Sequence, residues 1–249
     1  MHGLKPGRAW LTLACALVLA CAATLARARP AEAVPLYVGY SDPPYSTDAP
    51  DSASVQLAAR LSALSNGRYL FRAQQLPRRR LNLLIAKANW KGVVAWANPA
   101  WFRDESMTRY AWSQPYATDS NLVVSRREQP VEFTDHGASL EGLRLGCIAG
   151  QRYPDLEELL HAHRLVCEDV YSDLQNLLKL KNGHIDVAFV QASSMTYFRR
   201  SMPDMDSWLY VARNSRGSFK RYLFSDRDNA ALADFIAGAS RQLAGESGW

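Results

Sequence analysis

Residues 143–191 read LRLGCIAGQRYPDLEELLHAHRLVCEDVYSDLQNLLKLKNGHIDVAFVQ. Short apolar runs at residues 143–148, 165–170 and 185–190 predict three strands. Pro154 is a favourable first residue for a helix between the first two strands, because it has no N–H to leave unbonded. Ser172 can cap a second helix, and Gly183 can end it. The order β-α-β-α-β predicts a parallel sheet.

The loops at the carboxyl edge of such a sheet are where ligands bind, because right-handed crossovers bring them together. This edge should carry residues 150–153 and Gln191. A helix beginning near Pro154 would also direct its positive end there, which favours a carboxylate or a phosphate. Every α/β domain has such an edge, so the pattern alone leaves open whether this one binds a ligand.

The first 33 residues differ from the rest of the chain. Lys5 and Arg8 precede an apolar run at residues 9–26, and residues 31–33, Ala-Glu-Ala, form a small-x-small cleavage site. These features predict a secretory signal peptide over residues 1–33 and a mature protein outside the cytoplasmic membrane. Residues 26–28, Ala-Arg-Ala, offer an alternative cleavage site.

Lipid anchoring is a further alternative, because residues 18–21 imperfectly match a lipoprotein processing site.

The net charge of +5 falls to +2 when residues 1–33 are left out, which does not suggest a nucleic-acid partner. The single basic cluster, residues 78–80, lies at the start of a predicted short helix. A solvated helix face is its usual explanation, and a phosphate-binding patch is the alternative.

Cys147 and Cys167 are the cysteines that remain after the leader. They lie on consecutive predicted strands, which should be neighbours about 4.8 Å apart. In an oxidising compartment this spacing favours a disulfide bond. Two buried thiols or a metal site are the alternatives, and two cysteines without paired histidines are a weak metal pattern. We therefore predict neither a metal nor a cofactor.

The amino-terminal half repeats the same order of elements. A strand at residues 35–40 leads into a loop stiffened by two prolines, and a helix at residues 53–64 follows. A second strand at residues 69–73, a helix from Pro77 to about residue 88 and a third strand at residues 92–96 complete it. Two β-α-β-α-β units therefore lie in series.

The loop Asp42-Pro43-Pro44-Tyr45, the segment Trp-Ser-Gln-Pro-Tyr at residues 112–116 and the two units resemble the bacterial solute-binding proteins of family 3. These are periplasmic receptors that supply ABC transporters with polar amino acids. The resemblance implies an α/β fold with two lobes, each a mainly parallel sheet flanked by helices. Residues 34–118 plus 219–249 would form lobe 1 and residues 119–218 lobe 2. A two-strand hinge would join them, and the last helix would close on lobe 1.

The resemblance also implies a set of ligand-binding residues in lobe 1. Tyr45, beside Asp42, would stack on the ligand, with a Tyr packed against its own loop as the alternative. Trp96 and Asn98 follow the third strand, where family members have small hydroxyl residues. Arg103 matches the arginine that binds the ligand carboxylate, and a solvated surface role is its alternative.

In lobe 2 this sequence departs from the family pattern. Gly150, Gln151, Arg152 and Tyr153 replace the family's Gly-Thr/Ser-Thr, so Arg152 adds a positive charge. Gln191 lies where the family has the aspartate that binds the ligand amine. The two departures together predict an acidic ligand with no obligatory α-amine.

We therefore predict a monomeric solute-binding protein whose partners are a small amino-acid-like or organic-acid ligand and an ABC permease. A receptor that signals to a membrane sensor protein is the main alternative. A dehydratase-type enzyme on the same fold is a lesser one, because neither a Ser/His pair at a nucleophile turn nor a pair of catalytic carboxylates is present.

Overall fold

A computed structural model describes residues 30–246. Its first half contains a parallel sheet in the order β2-β1-β3. The elements of this half, in chain order, are β1 (Glu32–Val38), α1 (Ala53–Leu64), β2 (Tyr69–Gln75), α2 (Arg78–Ile85) and β3 (Val93–Ala97).

The second half contains another parallel sheet, in the order β8-β6-β7. Its elements are β6 (Arg144–Ile148), α3 (Glu157–His161), β7 (Val166–Val170), α4 (Asp173–Lys181), β8 (Val187–Gln191), α5 (Ala192–Ser201), α6 (Met205–Trp208) and β9 (Leu209–Val211). The β-α-β-α-β order predicted for each half is therefore present. The sequence patterns did not predict α5, α6 or β9.

Two long antiparallel strands connect the halves, namely β5 (Ala117–Arg126) and β10 (Gly217–Ser225). The first part of β10, up to Arg221, pairs with β5. The remainder of β10 pairs with β3 and with the short β4 (Ala111–Trp112). The sheets therefore meet where β10 leaves β5 and joins the first half.

Several predicted helix boundaries agree with the structure, and two do not. The Ser52 hydroxyl caps α1, and the Ser172 hydroxyl accepts a hydrogen bond from the backbone N–H of Gln175 at 3.1 Å to cap α4. The helix expected to begin near Pro154 is a 3-10 turn followed by the five-residue α3, and the chain reverses at His163, whose φ is +54°. Likewise α2 ends at Ile85, before the predicted boundary.

The strand β1 begins earlier than predicted. Glu32 lies opposite Tyr69 on β2, and Ala33 lies opposite Leu70. The predicted cleavage after Ala33 would therefore remove two residues of a paired strand. The rest of the predicted signal peptide, residues 1–29, lies outside the described residues.

Each half has its own apolar core. The carboxyl-terminal helix α7 (Ala230–Leu243) packs Leu232, Ile236 and Leu243 against the sheet of the first half, as expected. Helix α1 contributes Leu57 and Leu61 to the same cluster. Truncating a buried leucine to alanine typically costs about 2–5 kcal/mol, so these contacts hold the first half together. Within residues 30–246, no helix is long and apolar enough to span a bilayer.

The predicted disulfide bond is confirmed. Cys147 on β6 and Cys167 on β7 are bonded, with their Cα atoms 5.6 Å apart. Leu145 lies opposite Cys167 and Cys147 lies opposite Asp169, so the bond is diagonal across the two strands. Among the described residues, Cys147, Cys167 and Asp169 form the one cluster with metal-ligand spacing. The disulfide uses both sulfur atoms, which argues against the metal alternative.

Candidate functional site

A buried arginine lies where the two halves meet. Arg221 on β10 has 0% of its surface exposed. Its Nη2 donates to Oδ2 of Asp119 and to Oε1 of Gln191, each at 2.7 Å. Its Nη1 donates to the backbone carbonyl of Trp96 and to the hydroxyl of Tyr40, each at 3.1 Å. One guanidinium therefore binds both halves and the connecting strand β5.

Aromatic rings and a carboxylate stabilise the charge of Arg221. The guanidinium carbon lies 4.3 Å from the ring centre of Tyr45 and 5.0 Å from that of Phe219. Burial alone would lower the pKa of Arg221, but Tyr40, Tyr45 and Asp119 outweigh it and the pKa is raised. Burial alone would likewise raise the pKa of Asp119, but Arg221 lowers it. Arg221 and Asp119 are therefore a buried, fully ionised pair.

Tyr45 and Trp96, both predicted to contact the ligand, pack beneath this pair. Their ring centres are 4.6 Å apart, and both residues belong to the core of the first half. The Tyr45 hydroxyl donates to Oδ2 of Asp119 at 3.1 Å, and burial raises the pKa of Tyr45 to about 12. The Trp96 indole N–H donates to the Ser54 hydroxyl at 2.9 Å. Neither ring lines the two cavities described next.

The first cavity lies between the halves, has a volume of about 30 Å³ and carries two carboxyl groups. Oδ2 of Asp42 accepts a hydrogen bond from the backbone N–H of Asp173 at 2.6 Å, so a loop of the first half caps α4 of the second. Burial raises the pKa of Asp42. Burial and the neighbouring Asp42 raise the pKa of Asp173 to about 8. Asp173 therefore retains its proton at neutral pH. Tyr153 and Gln191 also line this cavity.

The second cavity, of about 250 Å³, is lined by arginines from both halves. Arg103 is exposed and has a left-handed backbone conformation, with φ of +55°. Arg152 donates to the carbonyl of Ala100 at 3.0 Å and to carboxylate oxygens of Glu105 and Glu157 at 3.1 and 2.7 Å. The other residues that line this cavity are Asn82, Ile85, Trp101, Phe102, Arg109, Tyr110 and Gly150.

The turn at residues 150–153 separates the two cavities. Gln151 and Tyr153 line the first cavity, whereas Gly150 and Arg152 line the second. Gly150 has φ of +86°, and a Cβ atom there would lie 2.8 Å from Cγ of Arg79 on α2. This close approach requires glycine. The Tyr153 hydroxyl accepts the backbone N–H of Ile148 at 2.9 Å, which fixes the turn to β6.

The structure thus divides the residues that the sequence grouped in one site. Asp42, Tyr153 and Gln191 line the first cavity, while Arg103 and Arg152 line the second. Asn98 lines neither: its side chain accepts the backbone N–H of Ala100 at 3.1 Å and donates to the carbonyl of Lys220 at 3.0 Å. Arg152 precedes α3, which has five residues. A helix this short does not provide the N-terminal anion site that the sequence predicted near Arg152.

No family model and no curated protein matches the chain. Solved structures do. Holo ArgBP from T. maritima has 15% identity, with 86% of this chain and 92% of that chain covered and a TM-score of 0.65. An ancestral arginine-binding protein bound to arginine has 10% identity, coverages of 86% and 93% and a TM-score of 0.67. A substrate-binding protein of an amino acid ABC transporter has 13% identity, coverages of 85% and 92% and a TM-score of 0.65.

The fold is that of the two-lobed type II periplasmic binding proteins. The predicted fold class is therefore confirmed. At 10–15% identity the likeness concerns the fold.

Sequence reasoning missed two charged residues at the centre of this periplasmic-binding fold, Arg221 and Asp119. Arg221 lies opposite Ala117, and Asp119 lies opposite Phe219, so the two charges are diagonal neighbours on antiparallel strands. Opposite charges at such positions are within reach of one another when a side chain is long. Asp119 falls within a hinge strand predicted over residues 116–125, but the return strand was predicted only over residues 222–225, so Arg221 lay outside it. The sequence also did not predict the register between the two strands.

The basic cluster at residues 78–80 is the other correction. Arg78 is 7% exposed, whereas Arg79 and Arg80 are exposed, so the prediction of a solvated face is wrong for Arg78. Arg78 lies at the start of α2, and Leu81 and Ile85 on the same helix are also buried. The periodicity of α2 turns Arg78 inward with these apolar residues.

Proposed function

We propose that this chain is an extracytoplasmic solute-binding protein that clamps a small, polar, carboxylate-bearing ligand between its lobes for delivery to an ABC transporter. The observation that carries the proposal is the second cavity, where Arg103 of one lobe and Arg152 of the other face the same space of about 250 Å³. This volume lies just below the usual range of small-molecule sites, about 300–1,000 Å³, which fits a small ligand. The fold neighbours, which are arginine-binding and amino acid transporter proteins by name, support the same role.

The proposed lobes are residues 34–118 plus 219–249 and residues 119–218. Four apolar clusters support this division, because each draws its residues almost entirely from one proposed lobe. The strands β5 and β10 cross between the lobes, as a hinge requires. Hinge bending would open the cleft that contains both cavities.

The charge of the second cavity supports an acidic ligand. Arg103, Arg109 and Arg152 line it, and a planar guanidinium binds a carboxylate through two parallel hydrogen bonds. Arg152 already contacts Glu105, but the Glu105 side chain is 58% exposed. A ligand carboxylate that replaced Glu105 would exchange one ion pair of Arg152 for another, so the guanidinium would keep a partner.

We also propose export through the amino-terminal signal peptide with cleavage after Ala28. The strand β1 begins at Glu32 and is paired from its first residue, so cleavage at residues 26–28 leaves it intact. Intact-mass measurement of the exported protein tests this. A mature chain beginning at Val34 would contradict the proposal.

A thermal-shift screen tests the binding function. The panel holds amino acids, organic acids, inorganic phosphate, polyamines and small peptides. A ligand at a thousand times its Kd should add about 4 kcal/mol of stability. Arg103→Gln and Arg152→Gln should reduce the response to acidic ligands, whereas Arg80→Gln, on the exposed face of α2, should not. The absence of any stabilising compound, or tight polyamine binding unaffected by the first two variants, would contradict the proposal.

A further inference from the structure

The wall of the second cavity contains a buried positive charge that no carboxylate balances. Arg78 is 7% exposed. Its Nη2 donates to the carbonyl of Trp101 at 2.7 Å, and its Nε donates to Oδ1 of Asn82 at 3.1 Å. Its guanidinium carbon lies 3.9 Å from the ring centre of Phe102. Asn82, Trp101 and Phe102 all line the second cavity, so Arg78 lies directly behind its surface.

Arg78 keeps its charge despite its burial. Burial lowers the pKa of Arg78 to about 10, and the charge persists at neutral pH. Among residues 30–246, no carboxylate lies within ion-pair distance of Arg78. A buried charge without a counter-ion is destabilising by several kcal/mol, and such an arrangement persists when something else requires the charge.

The other charges around the cavity do not neutralise Arg78. Glu105 and Glu157 both bind Arg152, so they balance that arginine. Arg103 and Arg109, which line the cavity, form no ion pair within 4.0 Å among the described residues. The buried Asp104 accepts hydrogen bonds from the backbone N–H groups of Thr108, Arg109 and Tyr110 and from the Trp112 indole. Four arginines, Arg78, Arg103, Arg109 and Arg152, therefore stand against three carboxylates, Asp104, Glu105 and Glu157, which leaves one positive charge in excess.

We propose that the second cavity binds a small ligand bearing two negative charges, as one phosphate-type group or as two carboxylates, with Arg78 as a positioning residue. This inference rests on the proposed solute-binding function and specifies its ligand. Arg103 and Arg109 donate hydrogen bonds to the ligand oxygens. Arg78 acts through the wall, because Coulomb attraction over one layer of side chains is strong in a low dielectric. It also orients Asn82, whose Nδ2 donates to the carbonyl of Gly150 at 3.0 Å.

Calorimetry with succinate, inorganic phosphate and propionate tests this inference. Succinate and propionate differ by one carboxylate, and phosphate presents its charge on one group. The unaltered protein should bind succinate or phosphate about tenfold or more tightly than propionate, as a second charge near several guanidiniums requires. Whichever dianion binds identifies the ligand group.

Three variants separate charge from structure. Arg78→Gln should weaken dianion binding about tenfold and propionate binding less, because the Coulomb energy scales with ligand charge. Arg78→Lys should retain the preference for the dianion. Arg80→Gln, which removes the same charge from the exposed face of α2, should leave Kd within about twofold at moderate ionic strength. If Arg78→Gln fails to fold, Arg78→Met, which fills a similar volume, should show the same selective loss of dianion binding.

Failure of both dianions to bind would overturn the inference. So would equal weakening by Arg78→Gln and Arg80→Gln, or equal loss of succinate and propionate binding in Arg78→Gln. If a neutral or cationic compound stabilises the protein in the thermal-shift screen while both dianions fail, the dianion is wrong and the solute-binding function stands. If no compound in the panel binds, both the dianion inference and the proposed solute-binding function are wrong.

Discussion

Arg221 and Arg78 are both buried arginines, yet their surroundings differ. Arg221 binds Asp119 through an ion pair of 2.7 Å and is surrounded by the rings of Tyr40, Tyr45 and Phe219. Arg78 has a carbonyl, an amide oxygen and one ring as its neighbours. The pKa of Arg221 is raised, whereas that of Arg78 is lowered to about 10.

The difference distinguishes a buried charge that a carboxylate balances from a buried charge that no carboxylate balances. Arg221 donates hydrogen bonds to acceptors in both halves and on β5, and Asp119 balances its charge. The charge of Arg78 is not matched within the fold, and it lies behind a cavity with room for a ligand. Breaking a balanced pair should therefore destabilise the protein, whereas removing the unbalanced charge should not.

The largest effect is expected from Asp119→Ala. This change leaves Arg221 buried without its carboxylate, and removing one partner of a buried pair costs about 3–5 kcal/mol. Denaturant unfolding at pH 7 measures the free energy of unfolding. Asp48→Ala, at an exposed position, is the control and should change it by less than about 0.5 kcal/mol. A loss of less than about 1 kcal/mol in Asp119→Ala would show that the Arg221 pair does not hold the lobes together.

Loss of the disulfide should come next. The bond between Cys147 and Cys167 closes a loop with a sequence separation of 20. A loop of this length corresponds to about 3 kcal/mol in the chain-entropy model. The double variant Cys147→Ser with Cys167→Ser should lose this amount, and reductant should destabilise the unaltered protein but not the variant. Two titratable thiols in denatured, unreduced protein would contradict the bond.

A smaller effect, dependent on pH, is expected at the first cavity. The pKa of Asp173 in the folded protein, about 8, lies above the value of an unfolded Asp. Between these two pH values the folded protein therefore binds a proton at Asp173 that the unfolded chain does not. The stability of the unaltered protein should therefore include a contribution that falls as pH rises through that range. Asp173→Asn removes this titration. The unfolding free energy of the variant minus that of the unaltered protein should increase by about 1–2 kcal/mol between pH 6 and pH 7.5. Parallel stability curves for the two proteins would show that Asp173 is ionised throughout.

The smallest effect on stability is expected from Arg78→Met. Met fills a similar apolar volume and removes an unbalanced buried charge, so unfolding free energy in the absence of ligand should change by less than about 1 kcal/mol or should rise. Thermal unfolding of ligand-free protein measures it. A loss comparable to that of Asp119→Ala would mean that Arg78 is a structural charge like Arg221, and the comparison between the two arginines would fail.

The fold was predictable from the sequence because its elements are local. Ser172 and Gly183 mark the ends of α4, and the predicted bounds of α1 agree with the structure, since caps and helical periodicity lie within a few residues. The disulfide followed from the order of the strands together with the oxidising compartment that the predicted leader implies. By contrast, the shortness of α3 follows from the reversal at His163, which no periodicity marks.

The site was less predictable because it depends on register and on packing between distant segments. The diagonal contact of Arg221 with Asp119 needs the pairing of β10 with β5. A shift of one strand by one residue would put the two side chains on opposite faces of the sheet. The burial of Arg78 needs the position of Trp101 and Phe102, more than 20 residues later in the chain. The residues at 150–153 alternate between two cavities, which sequence reasoning had treated as one site.

The central claim is that two lobes close on a ligand. Small-angle scattering tests it most directly, measured with and without a compound that stabilises the protein in the thermal-shift screen. The saturated protein should fit the arrangement described here, in which Asp42 of one lobe caps α4 of the other. The ligand-free protein should have a larger radius of gyration, because opening the hinge separates the lobes. Identical scattering curves, measured while calorimetry shows saturated binding, would contradict the claim and show one rigid body.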